Sequence, residues 1–294
     1  MKTIVTGGAG RLGQFIIKEL VERDHQVLCL DTNPPTDNIC RSLSINLLET
    51  EHLIRALQGA DAIIHLARVR FPYTSKGYDS ASKLWRYPDV SSDAERFSRN
   101  VTMTYNVLAT SREAGINKIV CGSSLAVYGL YYPRRPSSPD YLPIDEGHRL
   151  TPQDPYGISK LAGEKLCDCF ADKNKVQITS LRFAGIATES QYPTLRERSK
   201  DPLCRGTGAL WSYIDVRDAA VACRMALEKD LSGHQVFNIC APNTIMKEDT
   251  LELVARYLPD VKSIKQGLEK NWSGYDPTRA ETALGFRATH LMKI

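Results

Sequence analysis

Thr6-Gly7-Gly8-Ala9-Gly10-Arg11-Leu12-Gly13 joins an apolar run, Lys2–Thr6, to an amphipathic one, Arg11–Arg23. Its glycines at every third position permit a tight turn and a close approach of the backbone to a bound phosphate. The apolar residues of the second run recur with the period of a helix: Leu12, Phe15, Ile16 and Leu20. The segment therefore predicts a strand, a glycine turn and a helix whose N-terminus suits an anion.

The alternation of strand and helix continues through the first two thirds of the chain. Further strands are predicted at Gln26–Asp31, Asp61–Leu66, Lys118–Ser123 and Gln177–Arg182. Further helices are predicted at Glu49–Gln58, Ala94–Ala114 and Pro155–Asp172. Strands that alternate with helices build a parallel sheet that is covered on both faces. We therefore expect an α/β fold with a doubly wound parallel sheet of the Rossmann type.

After Arg182 the pattern becomes irregular, which predicts a small mixed C-terminal lobe. The recognisable units are a strand–helix unit near Trp211–Glu228, a strand at Gln235–Ile239 and helices near Lys247–Tyr257 and Pro277–Leu284. We expect residues 1–182 to form a dinucleotide-binding domain, to which the chain returns at about 211–240, and residues 183–210 and 241–294 to form a substrate-binding lobe. Two long loops, Arg68–Ser92 and Leu130–Leu150, follow predicted strands, at the edge of the sheet where ligands bind in such folds.

The composition argues against several classes of protein. The net charge of +4, from 38 basic and 34 acidic residues, is too evenly spread to indicate a nucleic-acid partner. No apolar run approaches the roughly 18 residues of a membrane span, and the chain enters a strand at Lys2, so we expect neither a membrane segment nor a signal peptide. The eight cysteines and six histidines show no metal-ligand spacing. We therefore expect a reduced, cytoplasmic protein without a metal.

An acidic residue at the end of the second predicted strand indicates the cofactor. Asp31 follows Gly13 by 18 residues. A carboxylate at this place accepts hydrogen bonds from the ribose hydroxyls of NAD and repels the 2′-phosphate of NADP. Arg11 could reach a phosphate, the 2′-phosphate included, so NADP stays open as the less favoured cofactor. We expect NAD.

A tyrosine and a lysine four residues apart form the candidate catalytic pair. Tyr156 and Lys160 share one face of a predicted helix. A nearby ammonium and an oxidised nicotinamide both favour a phenolate, and so bring a phenol towards the range useful for general acid–base catalysis. Upstream, a predicted strand ends in two hydroxyls, Ser123 and Ser124. The pair alone is a common helical pattern, and it gains specificity from the glycine turn and the serines.

In this combination the sequence resembles the extended short-chain dehydrogenase/reductases, also called the NAD-dependent epimerase/dehydratase family. The matching stretches are Thr6–Gly13, Asp31, Asp61–Ala67, Asn100, Ser123–Gly129, Tyr156–Lys160, Tyr213–Ala220 and Arg279–Phe286. The resemblance implies Tyr156 as the acid/base, Lys160 as its electrostatic helper and a ribose ligand, and Ser124 as the group that polarises the substrate oxygen. It implies cofactor contacts from Gly7, Gly10, Arg11, Leu12, Gly13, Asp31, Leu66, Ala67, Asn100, Tyr156 and Lys160. His65, which matches a strand end of the family, is expected to be structural.

The chain departs from the nucleotide-sugar branches of that family at two positions. Ala184 stands where those branches place a substrate-contacting Asn, and Trp211 stands where they place an Arg that holds the substrate's diphosphate. An indole cannot replace a guanidinium fork, so a smaller substrate is favoured, as in uronate-dehydrogenase-like members. The charged residues of the lobe form either an anion site or a solvated face: Arg182, Arg196, Arg198, Lys200 and Arg205 against Glu189, Glu197 and Asp201.

The leading hypothesis is NAD-dependent transfer of a hydride to and from a secondary alcohol of a sugar or sugar acid. An epimerase, which removes the hydride and returns it to the opposite face, would use the same Ser124, Tyr156 and Lys160. A non-catalytic dinucleotide-sensing protein is the third hypothesis, and the presence of the Tyr/Lys pair counts against it. We expect a small sugar-like substrate and no nucleic-acid or membrane partner, with a homodimer left open.

Overall fold

The computed structural model describes residues 1–69, 78–79, 84–85, 90–172, 175–202, 210–268 and 270–293. The strands are β1 (Lys2–Thr6), β2 (Gln26–Asp31), β3 (Arg41–Ser44), β4 (Ala62–His65), β5 (Tyr78–Asp79), β6 (Leu84–Trp85), β7 (Lys118–Ser124), β8 (Tyr141–Leu142), β9 (Gln177–Phe183), β10 (Gly185–Ala187), β11 (Tyr213–Asp215), β12 (His234–Ile239) and β13 (Ser263–Ile264). The helices are α1 (Arg11–Val21), α2 (Thr50–Leu57), α3 (Val90–Glu113), α4 (Pro155–Phe170), α5 (Tyr192–Arg198), α6 (Val216–Glu228), α7 (Thr250–Tyr257) and α8 (Thr278–Leu284). Two short 3₁₀ helices span Leu125–Tyr128 and Glu189–Gln191.

A seven-stranded sheet forms the centre of the molecule, in the order β12-β9-β7-β4-β1-β2-β3, with every neighbouring pair parallel. The chain builds outwards from β1 to β3 and then returns to the other side of β1 for the remaining strands. In such folds ligands bind where the strand order reverses, beyond the carboxyl ends of the strands. That point lies between β1 and β4, where Thr6 stands opposite His65. The glycine turn after β1 and the residues after β4 therefore meet there.

Two helical layers cover the sheet because successive strand residues point to opposite faces. Helices α1 and α6 pack together on one face, and α2, α3 and α4 pack on the other. In β4, Ile64 belongs to the core beneath α1, together with Ile16. Its neighbour Ile63 belongs to the opposite core, together with Val107 of α3 and Cys167 of α4.

Two short parallel pairs, β10 with β11 and β8 with β13, lie outside the large sheet. The last residues of the chain run back to α6, where the backbone N–H groups of Thr289 and His290 donate to the carboxylate of Asp218 at 3.0 and 2.8 Å. The Met292 N–H donates to the hydroxyl of Tyr213 at 2.7 Å. These bonds attach the C-terminal segment to the sheet domain.

The predicted fold class is confirmed, and β1 and β2 have the predicted bounds. The sequence pattern did not predict β3, whose residues are mostly polar because it forms an edge of the sheet, nor the start of α3 at Val90. Within the predicted loop Leu130–Leu150, β8 pairs with β13. Most of the predicted loop Arg68–Ser92 lies outside the described residues. Among the helices that the structure describes, none has the length and apolarity needed to cross a membrane.

Candidate active site

Backbone atoms leave no room for a side chain at two positions of the glycine turn, Gly7 and Gly13. Gly7 has a φ of +72°, and a Cβ there would lie 2.7 Å from the backbone nitrogen of Ala67. A Cβ on Gly13 would clash with the carbonyl oxygen of Gly7. Gly10 begins α1 without a side chain to cap it, and Leu12 in the first turn packs against the core. The result is a backbone cradle at a helix N-terminus, which suits a phosphate.

The carboxylate of Asp31 is turned towards this cradle. It accepts the Ala9 N–H at 3.1 Å and the Thr32 N–H at 2.7 Å. Arg11, by contrast, donates to the side-chain oxygen of Gln191 at 3.0 Å, so its guanidinium bridges the glycine turn to the segment after β10. Asp31 thus stands next to the turn, as expected for a ribose ligand, and Arg11 is engaged elsewhere.

The residues after β4 are fixed from two sides. The Leu66 N–H donates to the carbonyl of Thr6 at 3.0 Å, and the side-chain oxygen of Asn100 accepts the Val69 N–H at 2.8 Å. Asn100 also donates to the hydroxyl of Ser159 on α4, at 3.3 Å, and is buried. It therefore ties the end of β4 to the helix that carries the tyrosine and the lysine.

His65 lies beneath the cleft as a buried link between two elements. Its Nδ1 is 2.7 Å from the hydroxyl of Thr6, and its Nε2 is 3.3 Å from the hydroxyl of Thr104. Burial and, to a smaller extent, the nearby charge of Lys160 together lower the pKa of His65 to about 3. These contacts describe a neutral imidazole that holds β4 against β1 and α3.

The two serines at the end of β7 have different partners because they face opposite sides of the strand. The hydroxyl of Ser124 accepts the Ala126 N–H at 3.2 Å and caps the 3₁₀ helix that follows. Ser123 donates to Glu164 of α4 at 2.6 Å. The Ser123 hydroxyl is therefore taken up within the fold, whereas Ser124 keeps its donor hydrogen at the strand end.

Helix α4 begins beside this strand end. The carboxylate of Asp154 caps it and accepts the N–H groups of Tyr156 and Gly157, both at 3.0 Å. A Cβ on Gly157 would lie only 2.8 Å from the carbonyl oxygen of Ala126, so the first turn of α4 packs directly on the 3₁₀ helix. The glycine is required for this close approach. Tyr156 is thereby held next to the element that Ser124 caps.

The ammonium of Lys160 reaches back across α4 to the sheet. Its Nζ donates to the carbonyl of Gly122 at 2.7 Å and lies 5.8 Å from the centre of the Tyr156 ring. Burial lowers the pKa of Lys160, Tyr156 opposes this shift, and the positive charge of Arg68 adds to it. The lysine is therefore a fixed cation beside the phenol.

A buried ion pair behind the pair of catalytic candidates corrects one expectation. Arg182, considered above for an anion site in the lobe, lies in β9 and binds both oxygens of Glu164, at 2.9 and 2.7 Å. Burial alone would lower the pKa of Arg182, but the carboxylate of Glu164 raises this pKa above its usual value. Arg182 also donates to the hydroxyl of Tyr128 at 2.8 Å. The charge of Arg182 is therefore balanced by a buried partner within the fold, and Arg182 is not available for an anion site.

Two residues near Tyr156 were not singled out by the sequence. The guanidinium carbon of Arg68 lies 5.5 Å from the centre of the Tyr156 ring. Tyr131, from the loop after β7, accepts the Gly185 N–H on its hydroxyl at 3.1 Å, and burial raises its pKa. Arg68 and Tyr131 are far from Tyr156 along the chain, so the sequence did not indicate that they lie near it. The available signal was that each follows a strand of the sheet, where ligands bind in such folds.

The two residues at which the sequence departs from the nucleotide-sugar branches are buried. The indole of Trp211 donates to the carbonyl of Pro202 at 2.9 Å, and both Trp211 and Ala184 are less than a tenth exposed. Lys200 pairs with Glu197 at 2.7 Å on the surface. Arg205 and Cys204 lie outside the described residues. No group of metal-ligating side chains occurs among the residues with assigned positions.

The site as a whole brings together a backbone cradle that suits a phosphate, the carboxylate of Asp31 and a Tyr/Lys pair at one edge of a parallel sheet. The tightly packed backbone of the glycine turn fits a pyrophosphate, which Gly7, Gly10 and Gly13 would hold. Asp31 fits the adenosine ribose, and Lys160 fits the second ribose. This arrangement defines a dinucleotide-dependent oxidoreductase of the Rossmann class.

Comparison with known proteins is consistent with that class. The model of the NAD-dependent epimerase/dehydratase family matches residues 3–240. A putative UDP-glucose 4-epimerase of Methanocaldococcus jannaschii is 30% identical and covers 80% of this chain and 80% of its own. An L-arabinose 1-dehydrogenase (NAD(P)(+)) of Haloferax volcanii is 26% identical and covers 77% of this chain and 82% of its own.

The fold is also that of solved relatives. A short-chain dehydrogenase/reductase superfamily protein of Agrobacterium tumefaciens, solved with bound NAD, superposes with a TM-score of 0.71 at 21% identity, over 99% of this chain and 94% of the other. The chain belongs to the NAD-dependent epimerase/dehydratase family. It is an NAD-dependent enzyme of the extended short-chain dehydrogenase/reductase type.

Proposed function

We propose that this enzyme transfers a hydride to and from a secondary alcohol of a sugar or sugar acid. The observation that carries the proposal is the Tyr156–Lys160 pair, held beside Ser124 at the end of β7 and at the same sheet edge as the glycine turn. Bound NAD supplies the hydride acceptor. The relative named L-arabinose 1-dehydrogenase supports a free sugar as substrate.

Each catalytic residue has one task in this proposal. Tyr156 takes the proton from the reacting hydroxyl while the carbon gives up its hydride, and it returns the proton in the reverse direction. Lys160, fixed on the carbonyl of Gly122, stabilises the phenolate form of the tyrosine and binds the ribose. Ser124 donates a hydrogen bond to the same substrate oxygen and so favours the carbonyl product.

A sugar epimerase is the second candidate, because the relative from Methanocaldococcus jannaschii is named as a putative UDP-glucose 4-epimerase. Its chemistry needs the same three side chains and differs only in returning the hydride to the other face. The buried Trp211, at the place of a diphosphate-binding Arg, favours the dehydrogenase with a substrate that carries no nucleotide.

The NADH absorbance band distinguishes the two candidates. The enzyme is incubated with NAD and either free aldoses and uronates or UDP-glucose. Net accumulation of NADH with a free sugar or sugar acid is the expected result. Formation of an epimer without accumulation of NADH identifies an epimerase, and binding of NAD without any product would leave a dinucleotide-sensing protein.

Further features of the protein are part of this proposal. Segments 183–210 and 241–294 form the substrate-binding lobe over the domain of residues 1–182 and 211–240. The cysteines within the described ranges are all free, which supports a cytoplasmic location.

The exposed apolar residues Phe97 and Tyr105 of α3 and Ile158 of α4 support a homodimer through these two helices, which light scattering would detect. No nucleic-acid or membrane partner is proposed.

A further inference from the structure

Arg68 lies at the mouth of the cleft on an anchored backbone. Its side chain is exposed, and its guanidinium carbon lies 5.5 Å from the centre of the Tyr156 ring. On one side, Ala67 packs against Gly7 of the glycine turn, where no Cβ would fit. On the other, Asn100 accepts the Val69 N–H at 2.8 Å. The guanidinium is therefore presented to the cleft from a fixed point of the backbone.

The described acidic side chains around the cleft bind other groups. Glu164 binds Arg182 and Ser123, Asp154 caps α4, and Asp31 accepts backbone N–H groups beside the glycine turn. Among the residues that the structure describes, no carboxylate forms an ion pair with Arg68. The described part of the protein thus leaves the charge of Arg68 to be balanced by a ligand or by water.

Two cations flank the Tyr156 ring, since the ammonium of Lys160 lies 5.8 Å from its centre. The two cations repel each other. Burial lowers the pKa of Lys160 most, Tyr156 opposes this shift, and the positive charge of Arg68 lowers the pKa as well. A bound oxidised nicotinamide would add a further positive charge. An anionic substrate would relieve this repulsion, whereas a neutral one would not.

We propose that Arg68 binds a carboxylate of the substrate, so that the enzyme selects sugar acids over the corresponding neutral sugars. The inference rests on the proposed function and makes Arg68 its specificity-determining residue. A guanidinium matches a carboxylate with two parallel hydrogen bonds, and the bond between charged partners is stronger than one to a hydroxyl. A phosphoryl group offers similar oxygens, so the test includes a sugar phosphate.

The test compares Arg68→Gln with the wild type on matched substrates. NADH formation gives kcat/KM for D-glucuronate and D-galacturonate, for D-glucose and D-galactose, and for glucose 6-phosphate. We expect the wild type to prefer the uronates. Arg68→Gln should lower kcat/KM for the uronates by at least about tenfold, as for a lost hydrogen bond between charged groups, and should change the values for the neutral sugars far less. Arg68→Lys, which keeps the charge, should retain part of the preference.

Arg112 provides a matched control. Its exposed guanidinium lies 5.2 Å from the centre of the Phe170 ring. Arg112 is in the last turn of α3, and the cleft lies at the other ends of the strands. Arg112→Gln removes a similar stacked cation and should alter kcat/KM for none of these substrates.

The outcomes separate this inference from the proposed function. An equal loss on uronates and neutral sugars, with a shifted pH–rate profile, would mean that Arg68 serves the tyrosine and would overturn its role in substrate choice. A loss confined to glucose 6-phosphate would overturn the assignment to a carboxylate. If the wild type has the same kcat/KM for neutral sugars as for uronates, the inference fails while the proposed function stands. If calorimetry shows NAD binding but none of the substrates is turned over, both fail.

Discussion

Neighbouring side chains around the cleft divide their polar atoms between the fold and the chemistry. Ser123 and Ser124 are adjacent in the sequence, yet Ser123 donates to the buried Glu164, whereas Ser124 caps the 3₁₀ helix that follows the strand. Asn100 uses both ends of its amide, one for the Val69 N–H and one for Ser159. Substitutions at Ser123 and Asn100 should therefore change stability and geometry, whereas a substitution at Ser124 should change turnover.

The orientation of Asp31 predicts the choice of cofactor. Its carboxylate stands beside the glycine turn, where it would repel a 2′-phosphate, so NAD should bind at least about tenfold tighter than NADP, or about 1.4 kcal/mol. Asp31→Asn should narrow this ratio, because it removes the charge and keeps the shape. Arg11→Gln is the control and should leave the ratio unchanged, since Arg11 is bound to Gln191. Calorimetry that shows equal or tighter binding of NADP to the wild type would contradict this assignment.

His65 predicts how stability depends on pH. Its pKa is about 3 in the folded protein, where burial disfavours the charge, against about 6.5 in the unfolded chain. Between these values the unfolded chain binds a proton that the folded protein does not, so acidification from pH 6.5 lowers the free energy of unfolding. The contribution of this one group is about 1.4 kcal/mol per pH unit.

Denaturant unfolding of the wild type and of His65→Gln at several pH values between 7 and about 4.5 measures this slope, since other groups contribute equally to both proteins. The slope should be smaller in the variant by the amount given. Parallel curves for the two proteins would show that the pKa of His65 is not lowered in the folded protein.

At the scale of elements, α4 carries the chemistry on one face and anchors itself through the same face. Tyr156, Lys160 and Glu164 follow one another at intervals of four residues. The first two face the cleft and the carbonyl of Gly122, and the third binds Arg182 of β9. The ion pair thus fixes the position of the helix relative to the sheet, and with it the position of the phenol.

Breaking this ion pair should cost much more than breaking an exposed one. Glu164 and Arg182 are both less than a twentieth exposed, so Glu164→Gln leaves a buried guanidinium without its charge partner and should lower the free energy of unfolding by about 3–5 kcal/mol. Asp140→Asn is the control, because Asp140 pairs with Arg149 at 2.6 Å on the surface and should cost no more than about 1 kcal/mol. Equal losses in urea unfolding would mean that the buried pair is not what holds α4.

Local pattern determined some elements, and long-range packing determined others. The bounds of β1 and β2 followed from apolar runs that end in a glycine turn and an acidic residue, and the Tyr/Lys pair followed from its helical spacing. The spacing of Glu164 from Lys160 was visible too, but its partner on β9 depends on how α4 packs on the sheet. Arg68 meets Tyr156 only because β4 lies beside β7 in the strand order, which no local pattern specifies.

At the scale of the whole molecule, the order of strands brings distant segments to one edge. The glycine turn follows β1, Arg68 follows β4, Ser124 ends β7 and Tyr131 follows that strand. Arg11 reaches Gln191, 180 residues further along the chain, and so connects the cofactor turn to the segment after β10. Our central claim is that the glycine turn and Tyr156 at this edge serve a single reaction.

The direct test of that claim is the turnover and the NAD affinity of Tyr156→Phe, on whichever free sugar or sugar acid gives the most NADH. The variant keeps the ring and loses only the proton donor, so its rate should fall about 10²–10⁴-fold while its Kd for NAD stays that of the wild type. Lys160→Ala, which loses the cation and a ribose ligand, should lose rate and NAD affinity together. A Tyr156→Phe variant that keeps most of the wild-type rate would contradict the account.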